Sequence, residues 1–174
     1  MSSDHRPSLW AANIVLFWAV GGVVAVLSFP VARLSQKVVI ALDMDLGTAH
    51  WVFAVFWVIF MLYTEAWRGF HKQFTPRTMS RALWVSQHGT PLQKLLAPLL
   101  SMGYFHATRR RLLGTWILTV CIVGFVLVIH LLPQPWRGLV DLGVVLGLSA
   151  GVLTMLVEAA RISRGGEPVD PEVP

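Results

Sequence analysis

Two short units carry the same ionisable residues at the same spacing, Glu65-Ala-Trp-Arg68 and Glu158-Ala-Ala-Arg161. A carboxylate and a guanidinium three positions apart on a helix can bond within that helix. Both units close apolar segments that run in the same direction. A crossed arrangement, Glu65 to Arg161 and Glu158 to Arg68, would therefore make a four-charge clamp, and the echo hints at two hairpins related as parallel repeats. Charge inside a membrane segment is costly and is a functional hypothesis by default. Together with His71, His106 and Arg109 this inner cluster has the chemistry to hold a lipid headgroup or a substrate. The plainer expectation is a structural pair that neutralises buried charge.

A second group lies at the other ends of the apolar segments: His50, His130 and Asp141. Two histidines and a carboxylate can ligate a divalent metal, yet none of them stands at the i, i+3 or i, i+4 spacing of a tight site. The histidines also form two pairs, His50 with His130 and His71 with His106, of the kind that ligates a b-type haem from two sides. The 21 steps from His50 to His71 span about 31 Å of helix, the full hydrocarbon thickness. Such haems would sit at the surfaces. No cofactor is therefore expected, and haem b or a divalent metal is the alternative. Nucleotide-binding glycine loops, Gly-x-Ser-x-Gly and His-Glu-x-x-His are absent. The stretch "DMDLG" is not a calcium loop, because Gly47 falls fifth and Ala54 twelfth, where that loop needs glycine sixth and glutamate twelfth.

The elements that must carry these residues are apolar and long. The chain has 174 residues, 55% apolar and 13% charged, and soluble domains carry roughly 25% charged residues. Stretches near 9–29, 49–67, 112–132 and 138–160 each reach the roughly 20 residues that a bilayer requires. The first is too long for a signal-peptide core and lacks an Ala-x-Ala site, so a permanent helix is expected. Cys121, the single cysteine, falls within the third stretch and reads as core packing. Trp10, Trp67 and Trp116 at inner ends, with Trp51 and Trp136 at outer ends, form an aromatic belt.

Charge gives an orientation. With both termini in the cytoplasm, the inner side holds Arg6, Arg68, Lys72, Arg77, Arg81, Lys94, Arg109, Arg110, Arg111, Arg161 and Arg164, and the outer side holds Arg33, Lys37 and Arg137. That is a positive-inside bias. The net charge of +5 flanks membrane segments, so anionic headgroups are the expected partner and nucleic acid is not.

The connections have signals of their own. Pro30 is expected to end the first helix, after which Val31, Leu34, Val38 and Leu42 share one face of a short amphipathic helix on the outer surface. The loop 68–111 is too long to be idle. Thr75-Pro76 and Thr90-Pro91 both resemble helix starts, a capping hydroxyl followed by proline. The first predicts a basic helix through Gln87. The second predicts an apolar helix with Leu92, Leu95, Leu96, Leu99 and Leu100 on one stripe, bent near Pro98 and seated in the inner interface. Gly143, Gly147 and Gly151, four apart, form a seam for close helix approach, expected against Gly21, Gly22 and Ala25 of the first helix, with homodimerisation as the rival use. The terminal "SRGGEPVDPEVP" is expected to be a disordered cytoplasmic tail.

These readings converge on an all-α integral membrane protein: four transmembrane helices as two hairpins within residues 1–164, short amphipathic helices in the first outer loop and the cytoplasmic loop 68–111, and a tail over 165–174. A bacterial inner membrane is the expected location. The functional expectation is a non-catalytic accessory or interaction protein whose basic residues Arg109, Arg110, Arg111, Lys72, Arg77 and Arg81 bind anionic headgroups or a partner subunit. A membrane oxidoreductase or metal protein using His50, His130, His71 and His106 is one alternative. An oligomeric proton-coupled transporter using Glu65 and Glu158 is the other.

Overall fold

The computed structural model describes residues 9–103 and 109–166, with side chains from residue 13 and, beyond the gap, from residue 112. The described residues form helices joined by turns, without a strand, and four stretches are long and apolar enough to cross a membrane: Asn13–Leu42, Thr48–His88, Leu112–Ile129 and Trp136–Ser163.

Helix α1 runs unbroken from Leu9 to Leu42 with Pro30 inside it. The expected stop at Pro30, and the separate amphipathic helix after it, are thereby corrected. Proline removes one backbone bond, but within apolar surroundings neighbouring helices and small adjustments satisfy the freed carbonyl, so a membrane helix continues where a soluble one would break. Val38 is buried on the continuation, and Ala41 meets Gly138.

The second crossing is also longer than its sequence signals. Helix α2, Thr48–Met61, passes into a π-helical segment, Leu62–Phe74, and then into α3, Thr75–His88. Thr75-Pro76 opens α3, which keeps the expected span to within a residue, but only as the return to α winding in a continuous helix and not as a capped start. Phe74 and Thr75 both keep right-handed helical angles, Thr75 is 2% exposed, and its hydroxyl makes no capping bond. Gly89 ends the run in an extended conformation. At Thr90 the capping signal is real: its hydroxyl accepts from the Gln93 N–H, and the Thr90 N–H donates to the Gln93 side chain. Helix α4, Pro91–Leu95, breaks at Leu96, and α5, Ala97–Met102, starts anew with Pro98 in its first turn. Gly103 closes α5 at φ 87°, the left-handed conformation that favours glycine. Helices α6, Arg109–Ile129, and α7, Trp136–Ser163, complete the chain.

The core lies between α1, α3, α5 and α7. Leu16, Ala19, Val20 and Val23 of α1 meet Met79, Ala82 and Val85 of α3, Ala97 and Leu100 of α5, and Met155, Ala159 and Ile162 of α7. Ala19, Ala82, Ala97 and Ala159 stand among the larger side chains, and small residues of this kind let backbones approach closely where helices pack in apolar surroundings. Gly22 lets Pro98 lie directly on α1, and the Trp18 indole N–H donates to the Leu95 carbonyl at 3.0 Å. The step from Leu9 to Gly22 covers about 20 Å along the helix axis, so α4 and α5 dock well inside α1. Helix α6 stands at the edge. Leu113, Leu118, Val120, Ile122, Leu127 and Val128 all face outward, and Cys121 is exposed rather than in the core.

Candidate functional site

The seam of α7 sets the geometry of the candidate site, and it faces the second crossing rather than the first. A Cβ on Gly143 would stand 2.5 Å from the Trp57 ring; on Gly147, 2.5 Å from Glu65 Oε2; on Gly151, 2.5 Å from the Phe70 ring. The expected pairing with Gly21, Gly22 and Ala25 is therefore corrected. Gly21 has open space beside it, and Ala25 is exposed. Trp57 locks the register by donating from its indole N–H to the Val140 carbonyl at 2.9 Å. Sequence spacing marks a small-residue face but carries no information about which neighbour fills it.

Glu65 lies on this seam with its carboxyl against Gly147, and its buried Oε2 has no hydrogen-bond partner. Glu158 behaves differently. Its carboxylate takes two bonds from Arg161, Oε1 from Nη2 at 2.6 Å and Oε2 from Nε at 3.0 Å. The two Glu-Ala-x-Arg units thus diverge, and the crossed clamp does not form. The reason is helical winding. Glu158 and Arg161 sit in an α-helix, where i and i+3 share a face. Glu65 and Arg68 sit in the π-helical segment, whose turn closes at i→i+5 rather than i→i+4. Each residue then advances through a smaller angle, so three steps fall further short of a full turn and leave Arg68 off the face of Glu65, where it is exposed.

His71 stacks on Trp67 at 4.8 Å between ring centroids, and the Lys72 ammonium lies 5.4 Å from the centroid of the same ring. Beside them Leu62, Ala66, Trp67, His71, Ala150 and Thr154 line a groove of about 240 Å³ between the π-helical segment and α7. His106 lies outside the described residues, as do Arg6 and residues 167–174 of the tail. Arg109, Arg110 and Arg111 open α6, and their side chains lie outside the described part.

Arg81 is placed by the structure in another role than headgroup contact. It is 8% exposed, and its guanidinium donates to the Leu100 carbonyl at 3.4 Å and borders Gly103. It ties α3 to the C-terminal end of α5, where helix carbonyls attract a cation. Lys72 and Arg77 are exposed, and Lys94 is half-buried.

At the far end His50 accepts from the Gly47 N–H at 3.2 Å and stacks on Trp136 at 4.6 Å. The His130 ring bonds the Val126 carbonyl one turn back. Asp141 is 3% exposed, with Oδ2 unpartnered. Arg137 also keeps a buried, unpartnered Nε, while Gln134 joins α1 to α7 through the Lys37 carbonyl and the Gly138 N–H. His50, His130 and Asp141 are not gathered into one cluster, and among the described residues no three His, Cys, Asp or Glu side chains are.

Sequence reasoning missed Trp18, Trp57 and the Gly22–Pro98 contact. The first two lie within their apolar stretches, away from the aromatic belt, and nothing local to a tryptophan names a distant carbonyl as its partner. Comparison with known family models, curated proteins and solved structures finds no match. Fold and site define a class alone, that of helical multi-pass membrane proteins.

Proposed function

We propose that this chain is a non-catalytic interaction protein of a bacterial-type inner membrane, with both termini in the cytoplasm and its four long helices crossing as two hairpins. Its central segment, 68–111, seats in the inner leaflet and holds anionic lipid headgroups. One observation carries the reading. Leu92, Leu95, Leu96 and Leu99 are all exposed, at 65%, 64%, 40% and 41%, on helices whose opposite side is fixed to α1 through Trp18, Gly22 and Pro98. A short helix that turns leucines outward while docked deep on a membrane helix is supported by lipid contact on its open side. In the sequence, Arg68, Lys72, Arg77 and Lys94 precede or fall within these helices, and Arg109, Arg110 and Arg111 follow at the start of α6. Each basic residue near an anionic surface contributes about 1 kcal/mol.

The test is lipid retention. Full-length protein is incorporated into nanodiscs of mixed phosphatidylglycerol and phosphatidylcholine, then released gently into a native mass spectrometer. The wild type retains phosphatidylglycerol in excess over its share of the mixture, and the triple substitution R109Q, R110Q and R111Q loses most of that excess. Equal retention of the two lipids by the wild type contradicts the reading. A protein subunit co-purifying in fixed ratio, and lost with the same substitutions, makes a partner the occupant instead.

A further inference from the structure

We propose that Glu65 is a proton-binding site within the membrane-spanning part of the chain, its carboxyl taking up and releasing a proton in the niche opposite Gly147. This is independent of headgroup binding by the central segment. Three features carry it. Oε2 is buried and bonded to nothing. The niche is built by glycine: an added Cβ would stand 2.5 Å from Oε2 and 3.2 Å from the carboxyl carbon, so the carboxyl occupies room that any larger residue would take. The cation that its sequence supplies is withheld, since π-helical winding turns Arg68 outward while the same spacing in an α-helix joins Arg161 to Glu158 at 2.6 Å.

The surroundings are short of other charges. Towards this segment α7 presents Gly147, Gly151 and the groove-lining Ala150 and Thr154, with Gly143 against Trp57 and Met61 just before it. The ionisable residues of α7 lie nearer its ends, Arg137 and Asp141 on one side and Glu158 with Arg161 on the other, followed by Arg164 just past the helix. Of α2, only His50 ionises, and it is held by Gly47 and Trp136. In α3 the ionisable groups are Arg77, Arg81, bonded to the Leu100 carbonyl, and His88, stacked on Trp84. On the segment itself Tyr63, Arg68, His71 and Lys72 are exposed. A metal cation would require several oxygen ligands, and among the described residues Glu65 belongs to no group of three His, Cys, Asp or Glu side chains. A proton requires only the one carboxyl. The neighbouring groove, lined by Leu62, Ala66, Trp67, His71, Ala150 and Thr154, opens along the same helix pair.

The experiment uses full-length protein in nanodiscs and dicyclohexylcarbodiimide, an apolar reagent that attacks protonated carboxyls in apolar surroundings, with peptide mass spectrometry locating the label. Glu65 is expected to carry it. Labelling should fall as the pH is raised, and E65Q should remove the label from this peptide. In parallel, infrared difference spectra between acid and alkaline samples should contain a protonated-carboxyl band that E65Q abolishes. The wild-type labelling suffices if E65Q does not fold. The proposal is overturned if Glu65 stays unlabelled at every pH at which the helical circular dichroism is retained, or labels no more than Glu158. It is equally overturned if sodium chloride at constant pH protects Glu65 as fully as alkali does, which would make the site one for a metal cation.

Discussion

Residue by residue, the α7 seam is an arrangement of absences, in which three glycines admit a ring, a carboxyl and a second ring. Gly151→Leu would drive a side chain into Phe70, and overpacking of this kind costs about 1–3 kcal/mol. Its thermal unfolding midpoint in detergent should fall clearly below that of Gly21→Ala, whose added Cβ meets nothing within 4 Å. Equal midpoints for the two variants would mean that the seam is not tightly packed. Trp57→Phe removes the bond to the Val140 carbonyl, a loss of about 0.6–2 kcal/mol on the scale of interhelical bonds in membranes. The four-residue spacing makes this seam legible from residue types alone, as the Glu-x-x-Arg spacing makes Glu158 and Arg161 legible as a pair. The partner of the seam is not legible in that way. Nor is the isolation of Glu65, because no residue type announces a π-helix, and identical spacing has different consequences in the two windings.

Helices raise a different set of questions, namely where each one ends and what ties it down. Proline is a misleading guide at two of four places, since Pro91 and Pro98 each stand in the first turn of a new helix. Pro30 and Pro76 lie inside continuous helix, whereas Thr90-Pro91 starts one because a hydroxyl and a glutamine complete the cap there. In apolar surroundings the alternative to a strained helix is an unsatisfied backbone, which costs more, so rules learned from soluble helices fail within the bilayer. The tie that holds α5 is Arg81. Replacing it with methionine keeps much of the volume but removes the guanidinium bond to the Leu100 carbonyl, which retains the Gly103 N–H at 3.1 Å, so the cost is that of one net hydrogen bond, about 0.5–1.5 kcal/mol. With a cysteine at the nearly buried Ser101 (2% exposed) as reporter, Arg81→Met should speed maleimide reaction several-fold. Arg77→Met should leave it slow. Unchanged reactivity in the Arg81 variant would show that α5 is held by its apolar contacts alone.

For the whole molecule, the four apolar stretches are readable from length and composition, because a bilayer imposes one dimension on every crossing. What length cannot convey is how the central segment returns to the bundle. That depends on Gly22 meeting Pro98 and on Trp18 reaching the Leu95 carbonyl, contacts between residues far apart in sequence and without a local signature. Helix α6 turns apolar residues outward along most of its length. The functional account rests on α4 and α5 being seated in lipid. A nitroxide is placed at Leu95, with Leu118 on α6 as the lipid reference and Asp45 in the α1–α2 turn as the aqueous one, and relaxation by oxygen and by a water-soluble nickel chelate is measured in phosphatidylglycerol-containing nanodiscs. The account predicts that Leu95 resembles Leu118, open to oxygen and shielded from nickel. Nickel accessibility at Leu95 equal to that at Asp45 would contradict it.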